Sequence, residues 1–455
     1  MTETVHRAQR YPLSRRQVIQ GSCTAAAAAA LGAAGRTLAA ERMSAGFLPA
    51  HEPIGRGIGV HPGRVVWARD PKAVNWNDGS RWWWSPSHFS EPVIAKLLNK
   101  SLLALAGEAQ PQAAREALLQ DFHARTGRKA PPRKQAKVAI KLNMNGSGAY
   151  SDALDGRTQE SYGSAVLLKA LLTSLVRDAG FSAHNLCAYD AGRLFPQTMQ
   201  DYCSAGMLKG VQFRHRRPGE PDDAAADLNA PLRWSGPVHG AQSFLPRCVT
   251  EADYLINLAN LKGHCYGLTL CAKNHFGSFV NESRDRAPQA AGLHSNVWSA
   301  SAGDYSVLAD LIAHRELGGK TVLYLLDGLL TATGESVSVT PEAARWSMPP
   351  MSGGFCASLF LSQDPVAIDS VGADFLTSEP EMLRRNSALR GNAGVENYLH
   401  EAALAGNAPS GTPYQDGFGR RVGSLGVHDH WDGAETKRYG RNLGRAEGIE
   451  LIALL

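Results

Sequence analysis

Residues 254–277, YLINLANLKGHCYGLTLCAKNHFG, open on an apolar run and pass within a few residues into a glycine-punctuated polar stretch. Tyr254-Leu255-Ile256-Asn257-Leu258 is close to continuously apolar, the pattern of a strand buried on both faces. Between Leu258 and Gly277 lie two lysines, two histidines, two asparagines and two cysteines. In sheets covered on both faces, ligands sit outside the carboxyl ends of the strands. A buried strand that runs into such a cluster therefore predicts an α/β fold with its chemistry at the strand ends.

The same grammar repeats on either side. Val65–Ala68, Val138–Leu142, Leu186–Asp190, Thr321–Asp327 and Cys356–Leu361 are further apolar strand segments. Helical patterns separate them: Ser90-Glu91-Pro92 opens a helix through Ala106, followed by helices over 112–125 and 161–179. Asp364-Pro365 caps another helix through Leu376. The expected architecture is a mostly parallel sheet with helices on both faces, Rossmann-like in its layers but without a dinucleotide fingerprint. Reading off the strand ends selects Lys141, Asn143, Asp190, Asn260, Lys262, His264 and Asp327. Each alone is also an ordinary loop or cap residue.

Inside the polar cluster, the apolar spacing predicts a helix over 268–276, with Thr269 and Lys273 on one face and Leu268, Cys271 and His275 on another. His275 then reads equally well as a core histidine. His264, in a glycine-flanked turn, is the better acid–base or ligand candidate, and His294 can converge on the same cleft. His428-Asp429-His430 places two rings on one side of an extended segment, a metal-site geometry that competes with a plain surface loop. The tryptophans Trp82, Trp83 and Trp84 suit either a lid packed on the core or a platform for sugar rings.

The 455-residue chain is 44% hydrophobic and 20% charged, an ordinary globular composition. Of the formal charge of +5, most lies in the first 40 residues, and the remainder is close to neutral. Nucleic-acid binding has no electrostatic footprint there. Arg15-Arg16 precede a weakly apolar, alanine-rich stretch from Gln17 to Gly35, closed by Arg36. This resembles a twin-arginine signal peptide cleaved at Ala39 or Ala40, and it is too mild for a stable membrane span. Expected boundaries are a signal peptide over 1–40, an irregular arm over 41–63, the α/β domain over 64–376 and a C-terminal wrapping extension over 377–455. Export through the twin-arginine machinery implies a periplasmic location.

Beyond the leader, six cysteines remain and no CxxC occurs. No intrinsic iron–sulphur cluster is expected, and disulfide pairing stays open. A Walker phosphate loop, a nucleophile elbow and HExxH are absent as well, which weakens nucleotide hydrolase, serine hydrolase and zincin readings.

VAIKLNMN, the KGH…KN…FG block, Leu326-Asp327-Gly328 and LSQDPVAIDSVGADFL resemble the family called domain of unknown function 362, over residues 64–376. The resemblance implies the α/β fold and marks Lys141, Asn143, Lys262, His264, Lys273, Asn274, Asp327, Asp364 and Asp369; the family name assigns no reaction. Asp364 is also a helix N-cap. Three functions follow. One is an exported enzyme acting on a small anionic molecule, with Lys262, His264, Lys273 and Asp327 catalytic and Lys141, Asn143, Asn274 and Asp369 binding substrate. A divalent metal is left open there, with His264, His294, His428 and His430 as ligand candidates. The second is a periplasmic binding or assembly protein for an anion, a metal or a redox partner. The third is a carbohydrate-directed protein led by the tryptophans.

Overall fold

The computed structural model describes residues 52–455 except 77–81, 148–157, 239–241, 266, 282–290, 299, 336 and 391–392. The predicted leader and the first part of the arm lie outside the described residues.

Eight strands form one sheet: β1 (Arg64–Arg69), β2 (Val138–Leu142), β3 (Leu186–Asp190), β4 (Gln212–His215), β5 (Tyr254–Asn260), β6 (Thr321–Gly328), β7 (Ser358–Ser362) and β8 (Glu450–Leu454). Their spatial order is β8-β1-β7-β6-β5-β2-β3-β4. All pairings are parallel except those of β7, which runs against both β6 and β1. Every residue of β2, β5, β6 and β7 is buried, which is why these strands read as unbroken apolar runs.

Side chains alternate between two cores. Leu255 and Ala259 of β5, with Tyr324 and Leu326 of β6, enter one core. Ile256 and Leu258, with Leu323 and Leu325, enter the other. The second core is covered by α1 (Glu91–Ala106), α2 (Pro111–Thr126) and α3 (Ala165–Arg177). The first is covered by α4 (Cys271–Asn274), α5 (Ala291–Trp298), α6 (Val307–Ala313), α7 (Pro365–Ser378) and α8 (Ala393–Ala403). Trp83 belongs to the second core and meets Tyr162 edge-on at 5.0 Å, while Trp82 and Trp84 stack on each other.

The Asp364 carboxylate starts α7 by accepting from the amides of Val366 and Ala367, and it also takes those of Ile58 and Val427. One N-cap therefore ties the arm and the C-terminal segment to the sheet. That segment contributes Trp431 and Tyr439 to the first core and supplies β8. Among the described residues, no helix is long and apolar enough to cross a membrane.

The chain leaves β2 for β3 and β4 on one side and returns as β5 on the other side of β2. The carboxyl ends of β2 and β5 therefore flank the point where strand order reverses, the natural crevice of a doubly wound sheet.

Candidate functional site

At that crevice a polar recess of about 50 Å³ is lined by Lys141, Asn143, Arg193, His264, Thr269, Lys273, Asn274 and His294, among others. That space suits a small polar group such as a carboxylate or a phosphoryl group.

Strand parity decides which predicted residues reach it. Lys141 follows Ala139 on the first-core face of β2, and Asn257 lies on the same face of β5. Asp327 and Asn260 have the opposite parity and face the start of α3. There Asp327 accepts the amide hydrogens of Ser164 at 3.0 Å and Leu329 at 3.1 Å. Asn260 donates to the Tyr162 carbonyl. Lys262, also buried, donates to the Ser161 carbonyl at 3.0 Å. Neither Asp327 nor Lys262 lines the recess. Burial pushes the Asp327 carboxyl up to about 6.

A helix over the whole of 268–276 does not form; it begins only at Cys271. Lys262–His264 and Gly267–Thr269 instead pair as an antiparallel hairpin, and helical backbone is confined to α4 and the 3-10 turn that follows it. Asp369 on α7 accounts for the change: its two carboxylate oxygens accept the amides of Cys271 at 2.8 Å and Ala272 at 2.9 Å, starting the turn there. Asp369 thus shapes the site from behind and does not line it. Asn274 accepts from Lys141 at 3.1 Å and donates to Asn257 at 2.8 Å. His275 is buried, bonded to Asn257 and Ser278, in the core role.

Lys141 and Asp190 form a buried ion pair at 3.1 Å. The ammonium also donates to the Leu142 carbonyl and to Asn274, so its three hydrogens are taken. Asp190 further accepts from the amides of Met144 and Gly192. Gly277 permits this packing, because a Cβ there would stand 2.7 Å from Asp190 Oδ1 and 2.9 Å from Lys141 Nζ. Lys141 therefore acts as a strut at the floor of the recess.

Lys273 is the opposite case. Its side chain is 8% exposed, 3.3 Å from His294 Nε2 and 3.9 Å above the Phe276 ring. No carboxylate lies within ion-pair distance of it among the described residues. Burial pushes its pKa down to about 7, against the opposing pull of Glu335 and Cys265. The His264 and His294 rings stack 6.0 Å apart, and burial, reinforced by Lys273, holds both well below the usual histidine value. Thr269, 2% exposed, has an Oγ1 with no hydrogen-bond partner.

The four histidines considered for a metal fall into two pairs. His264 and His294 line the recess; His428 and His430 do not. Far from a surface loop, both are buried against α7, where His428 bonds to Ser370 at 2.8 Å and His430 to Asp374 at 2.8 Å. Sequence reasoning missed Arg193, three residues past the Asp190 strand end, which grips Asn145 through its side chain at 2.9 Å. It also missed Glu335, whose position depends on a contact 70 residues away in the chain.

The fold and recess define an α/β protein with a cationic pocket at its switch point. The model of the family described as Domain of unknown function (DUF362) matches residues 217–374, about a third of the chain, which spans β5, the hairpin, α4, β6 and most of α7. No curated protein and no solved structure matches the chain significantly.

Proposed function

We propose that the chain is an enzyme, exported by the twin-arginine route, that acts on a small anionic substrate held in the recess. The observation that carries this reading is Lys273, a buried amine with no carboxylate within ion-pair distance among the described residues, in a recess that also holds the unpartnered Thr269 hydroxyl. A buried cation normally has a counter-charge, and an anionic ligand supplies one. Arg193 adds positive charge, and Asp190, the acid in the lining, is already committed to Lys141. His264 and Lys273, side by side on the recess wall, are the groups placed to give and take a proton.

The test is anion binding and retention. Protein purified from its native envelope is analysed by mass spectrometry for released small molecules, then titrated with inorganic phosphate and a panel of small carboxylates. The wild type should retain or bind an anion, and Lys273→Met and Thr269→Val should weaken it by about tenfold or more. Equal binding by wild type and Lys273→Met, or no anion bound by either, overturns the reading. A binding protein would pass this test as well; turnover of the retained compound separates the enzyme from it.

A further inference from the structure

Next to the recess, three side chains of different chemistry converge. His264 Nδ1 lies 3.8 Å from Cys265 Sγ and 3.8 Å from Glu335 Oε2, and all three atoms lie within 4.8 Å of one another. We propose that His264, Cys265 and Glu335 form a three-ligand site for a divalent cation of borderline softness, with zinc the best fit.

The spacing supports it. Tetrahedral zinc with bonds of about 2.0–2.1 Å to nitrogen and about 2.3 Å to sulphur sets ligand atoms roughly 3.4–3.6 Å apart. The two distances to His264 Nδ1 need to contract by a few tenths of an ångström, and the Cys265–Glu335 separation, within 4.8 Å, by at most about 1.2 Å. The donor set is one neutral imidazole, one thiolate and one carboxylate, a mixture that favours zinc over the hard cations magnesium and calcium. Its two negative charges balance a divalent ion.

The ligands are oriented before any ion arrives. The amide of Cys265 donates to Glu335 Oε2 at 2.8 Å, which aims the carboxylate. Asn386 donates to the His264 carbonyl at 3.1 Å and to the Thr333 carbonyl at 2.7 Å, so the hairpin is pinned to the segment that leads to Glu335. Such supporting bonds are characteristic of metal sites. Gly263 makes the approach possible: a Cβ there would stand 2.2 Å from the Thr333 carbonyl oxygen. Three protein ligands leave the fourth tetrahedral position for water or a substrate oxygen, the arrangement of catalytic zinc. This inference keeps His264 from the sequence-derived ligand set and replaces the other three histidines. It does not depend on anion binding, but a zinc-bound His264 would leave the proton transfer of the proposed reaction to Lys273.

The experiment uses the full mature chain in a Cys187→Ser/Cys248→Ser background, which removes two other thiols that line a common cavity. Metal-free protein is titrated with zinc chloride, and separately with cobalt chloride while the absorption spectrum is recorded. The expected result is one zinc per chain and a thiolate-to-cobalt charge-transfer band. That band should vanish in Cys265→Ser, and zinc affinity should fall about tenfold or more in Glu335→Gln. Circular dichroism of each variant shows whether it remains folded. A wild-type protein that binds no stoichiometric zinc, or folded variants that bind zinc as the wild type does, overturns the proposal. Lys273→Met should bind zinc normally while losing the anion, so the two readings fail separately.

Discussion

Asp369 accepts the amide hydrogen of Cys271 at 2.8 Å, so a helix nearly a hundred residues further along sets where the Lys273 turn begins. Tyr398 on α8 donates to the same carboxylate at 3.2 Å and fixes its direction. Asp369→Asn keeps the shape but offers one acceptor oxygen in place of two. It should cost about 1–2 kcal/mol by the scale of capping and buried hydrogen bonds. Urea unfolding measures this, and anion affinity should fall with it; unchanged values of both contradict the positioning role.

Gly277 tests close packing against the floor of the recess. Gly277→Ala drives a methyl group into the Lys141–Asp190 pair and should destabilise by about 1–3 kcal/mol, the usual cost of overpacking. Gly423→Ala is the control, since nothing lies within 4 Å of a Cβ at that site. It should stay within about 0.5 kcal/mol of the wild type. A thermal melt of the two variants side by side decides.

The ion pair itself should respond asymmetrically. Asp190→Ala strands a buried ammonium and two backbone amides, at a cost of about 3–5 kcal/mol. Lys141→Met leaves Asp190 with its amide partners and fills the same space, so its loss should be smaller. The double variant should recover part of the Asp190→Ala loss. A double-mutant cycle with no coupling would show that the two groups do not depend on each other.

His430 gives the protein a pH-dependent component of stability. The Asp374 carboxylate, with Glu396 and Asp429 behind it, outweighs burial and raises the imidazole to about 9. His428 packs against the same ring at 4.9 Å. A folded value above the unfolded one, about 6.5, means the contribution is complete below pH about 6.5 and fades as pH rises through about 9. Its ceiling is roughly 3 kcal/mol. Melting temperature should therefore drop between pH 6.5 and 9, and His430→Gln should flatten that slope; a slope that survives the substitution refutes the assignment.

The sheet was legible because strands buried on both faces have little freedom in composition: Val138–Leu142, Tyr254–Asn260 and Thr321–Gly328 announce themselves. Alternation within them was the harder signal. Asp327 and Lys141 both end apolar strands, yet one parity sends Asp327 to the α3 face and Lys141 to the recess side. Nothing local distinguishes the two, because the relative register of β2, β5 and β6 is a property of the pairing. The start of the helix after residue 268 escapes a local reading for a related reason. Leu268, Cys271 and His275 have helical spacing, but the helix start is set from outside by Asp369. Short edge elements such as β4 and β8, with mixed composition, left too weak a pattern to read.

The partner of β1 at the sheet edge is β8, and the register Arg64↔Glu450 joins residues 386 positions apart. On a ribosome the chain emerges in order, so the outer edge of β1 waits unpaired until residues 450–454 have been made. The sheet closes on that side only when residues 450–454 are released. Truncation before residue 450 would leave β1 as an open template for another molecule's strand.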